Sequence, residues 1–193
     1  IIVCNKNLTK KKSHLISISR LDELWFKDRK KISSKKTNFL YVGRLSKEKG
    51  IFNFIEMFEK IDIDATLAIA GHSKKFSFNN SKIQLLGYIS DSQNLIKTYD
   101  ECNISILPSY TEGYPYVIDE SLARGRPVII FEEISYVINN KKGIFVSKRD
   151  TNSLKKTIHY ILDNYEKIQL EIYKNLLPTK KSMLKQISDI INV

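Results

Sequence analysis

The chain has 193 residues, 42% hydrophobic and 27% charged, with 7 glycines and 4 prolines; that is enough for one substantial domain with its own core, and the composition excludes a disordered or fibrous chain. With 32 Lys and Arg against 21 Asp and Glu the net charge is +11, a field that draws nucleic acid, acidic lipid or phosphorylated small molecules. No apolar run reaches the roughly 20 residues of a helical membrane span, and no signal-peptide pattern opens the sequence.

In chain order, "IIVC" (1–4) and "HLISIS" (14–19) read as short strands, and "LDELWFKDRKKISSKK" (21–36) reads as a charged connector. The densest basic runs, at 6–12 and 27–36, read as solvated. They lack interleaved aromatics and any zinc-finger or RRM signature, so nucleic acid is not an expected partner. From about Asn38 six short apolar runs follow: "NFLYVG" (38–43), "TLAIAG" (66–71), "KIQLLG" (82–87), "NISILP" (103–108), "PVIIF" (127–131) and "GIFVS" (143–147). They are continuous rather than alternating, as in strands buried on both faces of a parallel sheet.

Segments of helical period separate them. "KGIFNFIEMFEKI" sets Ile51, Phe54, Ile55 and Phe58 on one stripe, "SQNLIKTYDEC" is a second helix, and "YVIDESLARG" a third that ends at Gly125. After 148 the pattern is helical: "DTNSLKKTIHYILDNYEKI" opens on Asp150 as N-cap, and two more amphipathic stretches run to Val193. The expected architecture is α/β, an open parallel sheet of about six strands with helices on both faces and extra C-terminal helices. The expected divisions are 1–37, 38–165 and 166–193. Cys4 and Cys102 are far apart with no CxxC spacing; Cys102, beside a strand, reads as a buried thiol in a reducing compartment, which points to the cytoplasm.

In such a sheet ligands bind at the carboxyl ends of strands, which singles out two loops. In "GRLSKEKG" (43–50) Arg44 leaves the strand, Ser46 is a candidate N-cap and Lys49 falls in the first helical turn. Two cations at the positive end of a helix oppose its dipole and suit an anion; the plainer alternative is a solvated basic loop. In "PSYTEGYPYVIDESLARGRPV" (108–128), Gly113 permits a tight turn, Pro115 suits the first helical position, and Glu112 and Glu120 are eight residues apart. At about 1.5 Å per residue Glu120 lies some 7–8 Å along the helix, so each carboxylate can meet a different part of one long ligand. Alternatively Glu112 only favours the helix N-terminus, and Glu120 is exposed or pairs with Arg124.

"VGRLSKEKG", "LLGYIS", "ILPSYTEGYPYVIDESLARGRPVI" and "GIFVSKRD", in that order and spacing, resemble the C-terminal half of the family 4 (group 1) glycosyltransferases over about 38–165. The resemblance implies a GT-B enzyme, two Rossmann-like domains across a cleft, of which this chain is the half that binds a nucleotide-sugar donor. It implies that Arg44 and Lys49 grip the donor diphosphate, that Glu112 is the catalytic residue at the transferred sugar, and that Glu120 takes the ribose hydroxyls. Gly43, Gly113, Tyr114, Tyr116 and Val117 complete the donor loops. It further implies transfer with retention, no bound metal and no cofactor beyond a UDP-, GDP- or ADP-linked sugar. The acceptor, a glycan or lipid-linked sugar, would be met by an N-terminal domain that 193 residues cannot also hold. Residues 1–37 would then be the end of that domain and the interdomain connector, and the enzyme would be cytoplasmic or peripheral at the cytoplasmic membrane face.

The chain departs from the family pattern in places. "GHSKKFS" puts His72 and Ser73 where a Gly-rich turn is common, and His72 reads as a polar loop residue. "FEEISYVINN" lacks the usual Gly-Gly turn after "PVI", and Tyr114 and Pro115 stand where Phe and Gly are common. His14 and His159 read as structural. A fold alone does not fix activity, so a non-catalytic nucleotide- or polyanion-binding module on the same fold is the alternative.

Overall fold

A computed structural model describes residues 2–3, 13–30, 37–71 and 77–191. Cys4, His72 and Ser73 lie outside the described residues. Two short strands, β1 (Ile2–Val3) and β2 (His14–Leu15), pair in parallel. The main elements then follow as β3 (Thr37–Val42), α1 (Ile51–Lys60), β4 (Ala65–Ala70), β5 (Ile83–Gly87), α2 (Ser92–Asp100), β6 (Ile104–Leu107), α3 (Tyr116–Ala123), β7 (Val128–Phe131) and β8 (Ile144–Ser147). Three helices close the chain: α4 (Thr151–Asp163), α5 (Tyr165–Ile172) and α6 (Lys180–Ile191).

All six apolar runs pair, every neighbour parallel, in the order β5-β4-β3-β6-β7-β8. The chain starts at the middle of the sheet, winds outward through β4 and β5, then returns to β6 beside β3. The reversal makes the carboxyl ends of β3 and β6 the switch point, where a crevice opens.

Alternation along β3 sorts the core onto two faces. Phe39 and Tyr41 join the cluster with Phe54 and Phe58 of α1, whereas Leu40 and Val42 join Tyr99 of α2, Trp25 and Leu21. The stripe expected on α1 is the buried one, Ile51, Phe54, Ile55 and Phe58. Gly125 follows α3 at φ 71°, and Asp150 caps α4 by accepting from the Ser153 N–H at 2.8 Å. The run 150–168 is two helices rather than one, broken at Asn164. Cys102 is buried, and burial pushes its thiol up to about 12.

The connector differs most from expectation. Leu21 and Trp25 are buried at 1% and 3% exposure, so this stretch is core as well as charge. A 3-10 turn, Glu23–Phe26, carries Trp25 inward, started by the Asp22 carboxylate accepting from the Leu24 N–H. The indole meets Tyr99 edge-on with ring centres 5.8 Å apart. Two buried guanidiniums hold the backbone in place. Arg124 pairs with Asp100 at 2.8 Å and donates to the carbonyls of Trp25, Lys27 and Asp28; Arg126 donates to that of Lys30. The two buried cations share the Asp100 carboxylate and are otherwise met by carbonyl oxygens. Helix α6 lies against the segment before this turn, with Ser17 N–H donating to Gln186 and Lys180 N–H to the Leu21 carbonyl. No helix among the described residues is long and apolar enough to cross a membrane.

Candidate functional site

The β3–α1 loop leaves the sheet at Gly43, whose N–H donates to the Ala70 carbonyl. Tyr41 returns its hydroxyl to the Arg44 carbonyl at 2.5 Å. Lys49 is not in the first turn of α1; it ends a separate 3-10 turn, Lys47–Lys49, and Ser46 at its start makes no side-chain cap. The cause is Gly50, which turns the chain at φ 64°. A Cβ on Gly50 would stand 1.9 Å from the Pro108 carbonyl oxygen, so only glycine lets this loop press against the end of β6. The Tyr110 N–H donates to the Glu48 carbonyl at 3.0 Å, joining the two loops.

The β6–α3 loop carries Glu112, whose Oε1 accepts from Ser109 Oγ at 2.6 Å and from Lys49 Nζ at 2.7 Å. Its backbone is held by Tyr136, and the loop carbonyls of Pro108 and Ser109 accept from Arg149. Arg149 stacks between Tyr110 and Phe131 and pairs with Glu133. Both cations of the β3–α1 loop have acidic neighbours. Lys49 is paired with Glu112, and Arg44 lies 3.6 Å from Glu48, a pair exposed enough to be weak.

Pro115 is the residue before α3 rather than its first, and Tyr116 opens the helix. Glu120, at 4% exposure, is neither exposed nor paired with Arg124; its carboxylate accepts from the Tyr99 hydroxyl at 2.9 Å. Burial raises the Glu120 pKa, with the Tyr99 hydrogen bond and Arg20 opposing and Asp119 adding. Burial and the same carboxylate hold the Tyr99 phenol well above its ordinary value, so it serves as a donor. Tyr114 is aimed by its hydroxyl bond to Asp119, which pairs with Lys141 at 2.6 Å.

These pieces meet in one cleft of about 480 Å³ at the switch point. Gly43, Arg44, Lys49, Glu112, Tyr114, Tyr116, Val117 and Glu120 all line it, together with Tyr88, Ile89 and Ser90 from the end of β5. Gly113 does not line it, and a Cβ there would meet nothing within 4 Å. Sequence reasoning missed Arg20 and Trp25, which reach the cleft from the connector; the Arg20 guanidinium lies 4.5 Å above the Tyr116 ring. It also missed Tyr99 and Tyr136, whose roles depend on distant partners. The cleft therefore combines the cations Arg20, Arg44 and Lys49 with two carboxylates, Glu112 bonded to Lys49 and the buried Glu120, an arrangement suited to an anion bearing hydroxyl groups. Among the described residues no three or more His, Cys, Asp or Glu side chains cluster as a metal site.

The family model described as "Glycosyl transferases group 1" matches residues 23–176. An N-acetylgalactosaminyltransferase of Campylobacter jejuni, acting by its name on N,N'-diacetylbacillosaminyl-diphospho-undecaprenol, is 26% identical over 73% of this chain and 39% of its own length. The capsular polysaccharide glycosyltransferase CapM of Staphylococcus aureus is 26% identical over 64% of this chain and 36% of its own. The chain thus spans less than half the length of these curated relatives. Among solved structures, HepE of Anabaena, in complex with UDP and glucose, superposes with a TM-score of 0.74 at 14% identity over 93% of this chain and 56% of that one. TarM does so at 0.70 and 17% identity, over 100% and 43%. The fold is that of one Rossmann-like half of a GT-B enzyme, and the chain belongs to the group 1 glycosyltransferases.

Proposed function

We propose that this domain binds the nucleotide-sugar donor of a retaining glycosyl transfer to a glycan or lipid-linked acceptor. The observation that carries this reading is the Lys49–Glu112 pair, which shares one cleft with Arg44 and the buried Glu120. In it Arg44 and Lys49 hold the diphosphate and stabilise the charge that develops on the departing nucleotide. Glu112 meets hydroxyls of the transferred sugar near its anomeric carbon, and Glu120 accepts from the ribose hydroxyls. Lys49 pairs with Glu112 at 2.7 Å, and a diphosphate offers it a second, more strongly charged partner, so the lysine bridges donor and carboxylate.

The UDP bound to HepE supports a uridine nucleotide, and the undecaprenol-linked substrate in the Campylobacter relative's name supports a lipid-linked acceptor. The acceptor would be met by a second domain, with the enzyme in the cytoplasm or at the cytoplasmic membrane face. Thermal-shift measurements with UDP, GDP, ADP, CMP and their common sugars test the donor assignment. At a hundredfold excess over its dissociation constant the right nucleotide stabilises by about 2.7 kcal/mol, and Arg44→Ala or Lys49→Ala weakens that gain. No stabilisation by any of them at millimolar levels sinks the reading.

A further inference from the structure

One phenol closes on both backbone polar groups of Glu112. The Tyr136 hydroxyl accepts from the Glu112 N–H at 2.9 Å and donates to the Glu112 carbonyl at 2.7 Å. A hydroxyl has one proton and spare lone pairs, so both bonds form together. Tyr136 belongs to the 3-10 turn Glu132–Val137 after β7, on the side where the family's Gly-Gly turn is lacking. That turn is anchored by the fully buried Ile134 and by Glu133, which accepts from Arg149 at 2.7 Å. Arg149 also holds the Pro108 and Ser109 carbonyls, so the turn and the Glu112 loop are fastened to the same guanidinium.

At the carboxylate, both side-chain bonds fall on Oε1, from Ser109 and Lys49. Oε2 accepts none among the described residues. Glu112 is therefore fixed at its backbone from one side and at Oε1 from the other, with Oε2 left for an incoming group. A carboxylate held this way loses little freedom when it meets a hydroxyl, which is how a supporting residue sharpens a contact it does not make.

We propose that Tyr136 is a positioning residue for the sugar end of the donor site, acting through Glu112; this rests on the reading of Glu112 given above. The ring is 51% exposed, so Tyr136→Phe removes the hydroxyl without opening the core. Calorimetry on this chain with UDP, GDP and ADP, each beside its glucosylated form, supplies the test. With the base that binds, wild type takes the glucosylated nucleotide more tightly than the bare diphosphate. Tyr136→Phe is expected to weaken the glucosylated form about fivefold, the worth of a typical hydrogen bond, and to leave the bare diphosphate within about twofold. In a Glu112→Gln background, Tyr136→Phe is expected to add nothing further, because interacting residues are non-additive.

Equal weakening of both ligands, or a full additional loss in the Glu112→Gln background, overturns the assignment of Tyr136 while leaving Glu112 in place. An undiminished preference for the glucosylated form in Glu112→Gln overturns the reading of Glu112 and this proposal with it. So does a wild type that binds none of the six.

Discussion

Glu120 is the residue where burial and binding are in tension. Its carboxyl is pushed upward by burial while, among the described residues, only Tyr99 donates to it. Its pKa in the folded chain stands above that of the unfolded chain. Between those two values the folded protein keeps a proton that the unfolded chain has lost, so stability falls as pH rises through that window. Glu120→Gln is therefore expected to remove that slope and raise the melting temperature of the empty protein at neutral pH. The same variant is expected to weaken nucleoside diphosphate binding roughly tenfold or more, since hydrogen bonds to a charged acceptor contribute about 1.5–3 kcal/mol. Melting curves from pH 4.5 to 8, paired with titrations, check both; a variant that is less stable and binds as wild type contradicts the assignment. Lys49 and Glu112 illustrate why residue identity was legible and pairing was not. Both were singled out by loop position and family pattern, but they meet across 63 residues, a separation that leaves no periodic trace.

At the scale of elements, the site is two strand ends with their loops packed hard together. Gly50 is the contact point: it combines φ 64° with an approach that leaves no room for a methyl group beside the Pro108 carbonyl. Gly50→Ala is expected to cost about 2–4 kcal/mol, from left-handed strain plus overpacking, and to weaken nucleotide binding by displacing Lys49. Denaturant titration and calorimetry measure the two effects; unchanged stability would mean the loops are not seated as described. The strands of this sheet were legible for a simple reason. A parallel strand covered on both faces reads as a near-continuous apolar run, as "PVIIF" does; in "NISIL" the polar Ser105 is tolerated inside because its hydroxyl accepts from Ser121 at 2.7 Å. The connector was illegible because nothing local buries Trp25. The side chain that fixes its carbonyl, Arg124, is 99 residues away.

For the whole molecule the decisive arrangement is Asp100 with Arg124 and Arg126, two buried guanidiniums on one carboxylate. They tie α2 and α3, which carry Tyr99 and Glu120, to the strip of chain from Trp25 to Lys30. Arg124→Ala leaves Asp100 with only the 3.5 Å contact to Arg126 and takes the side-chain donor from the Trp25, Lys27 and Asp28 carbonyls, and is expected to cost about 3–5 kcal/mol, the usual effect of breaking a buried pair from one side. A loss under about 1 kcal/mol would place the clasp in water instead.

Trp25 is the chain's single tryptophan, and it stands where the connector, the ring of Tyr99 and the cleft wall coincide. The molecule accordingly carries its own optical probe, needing no label. Emission should be blue-shifted in the intact domain, change in intensity as a nucleotide fills the cleft, and move to the red when the connector is released from its clasp. One cuvette can thus separate occupancy from undocking by colour against brightness.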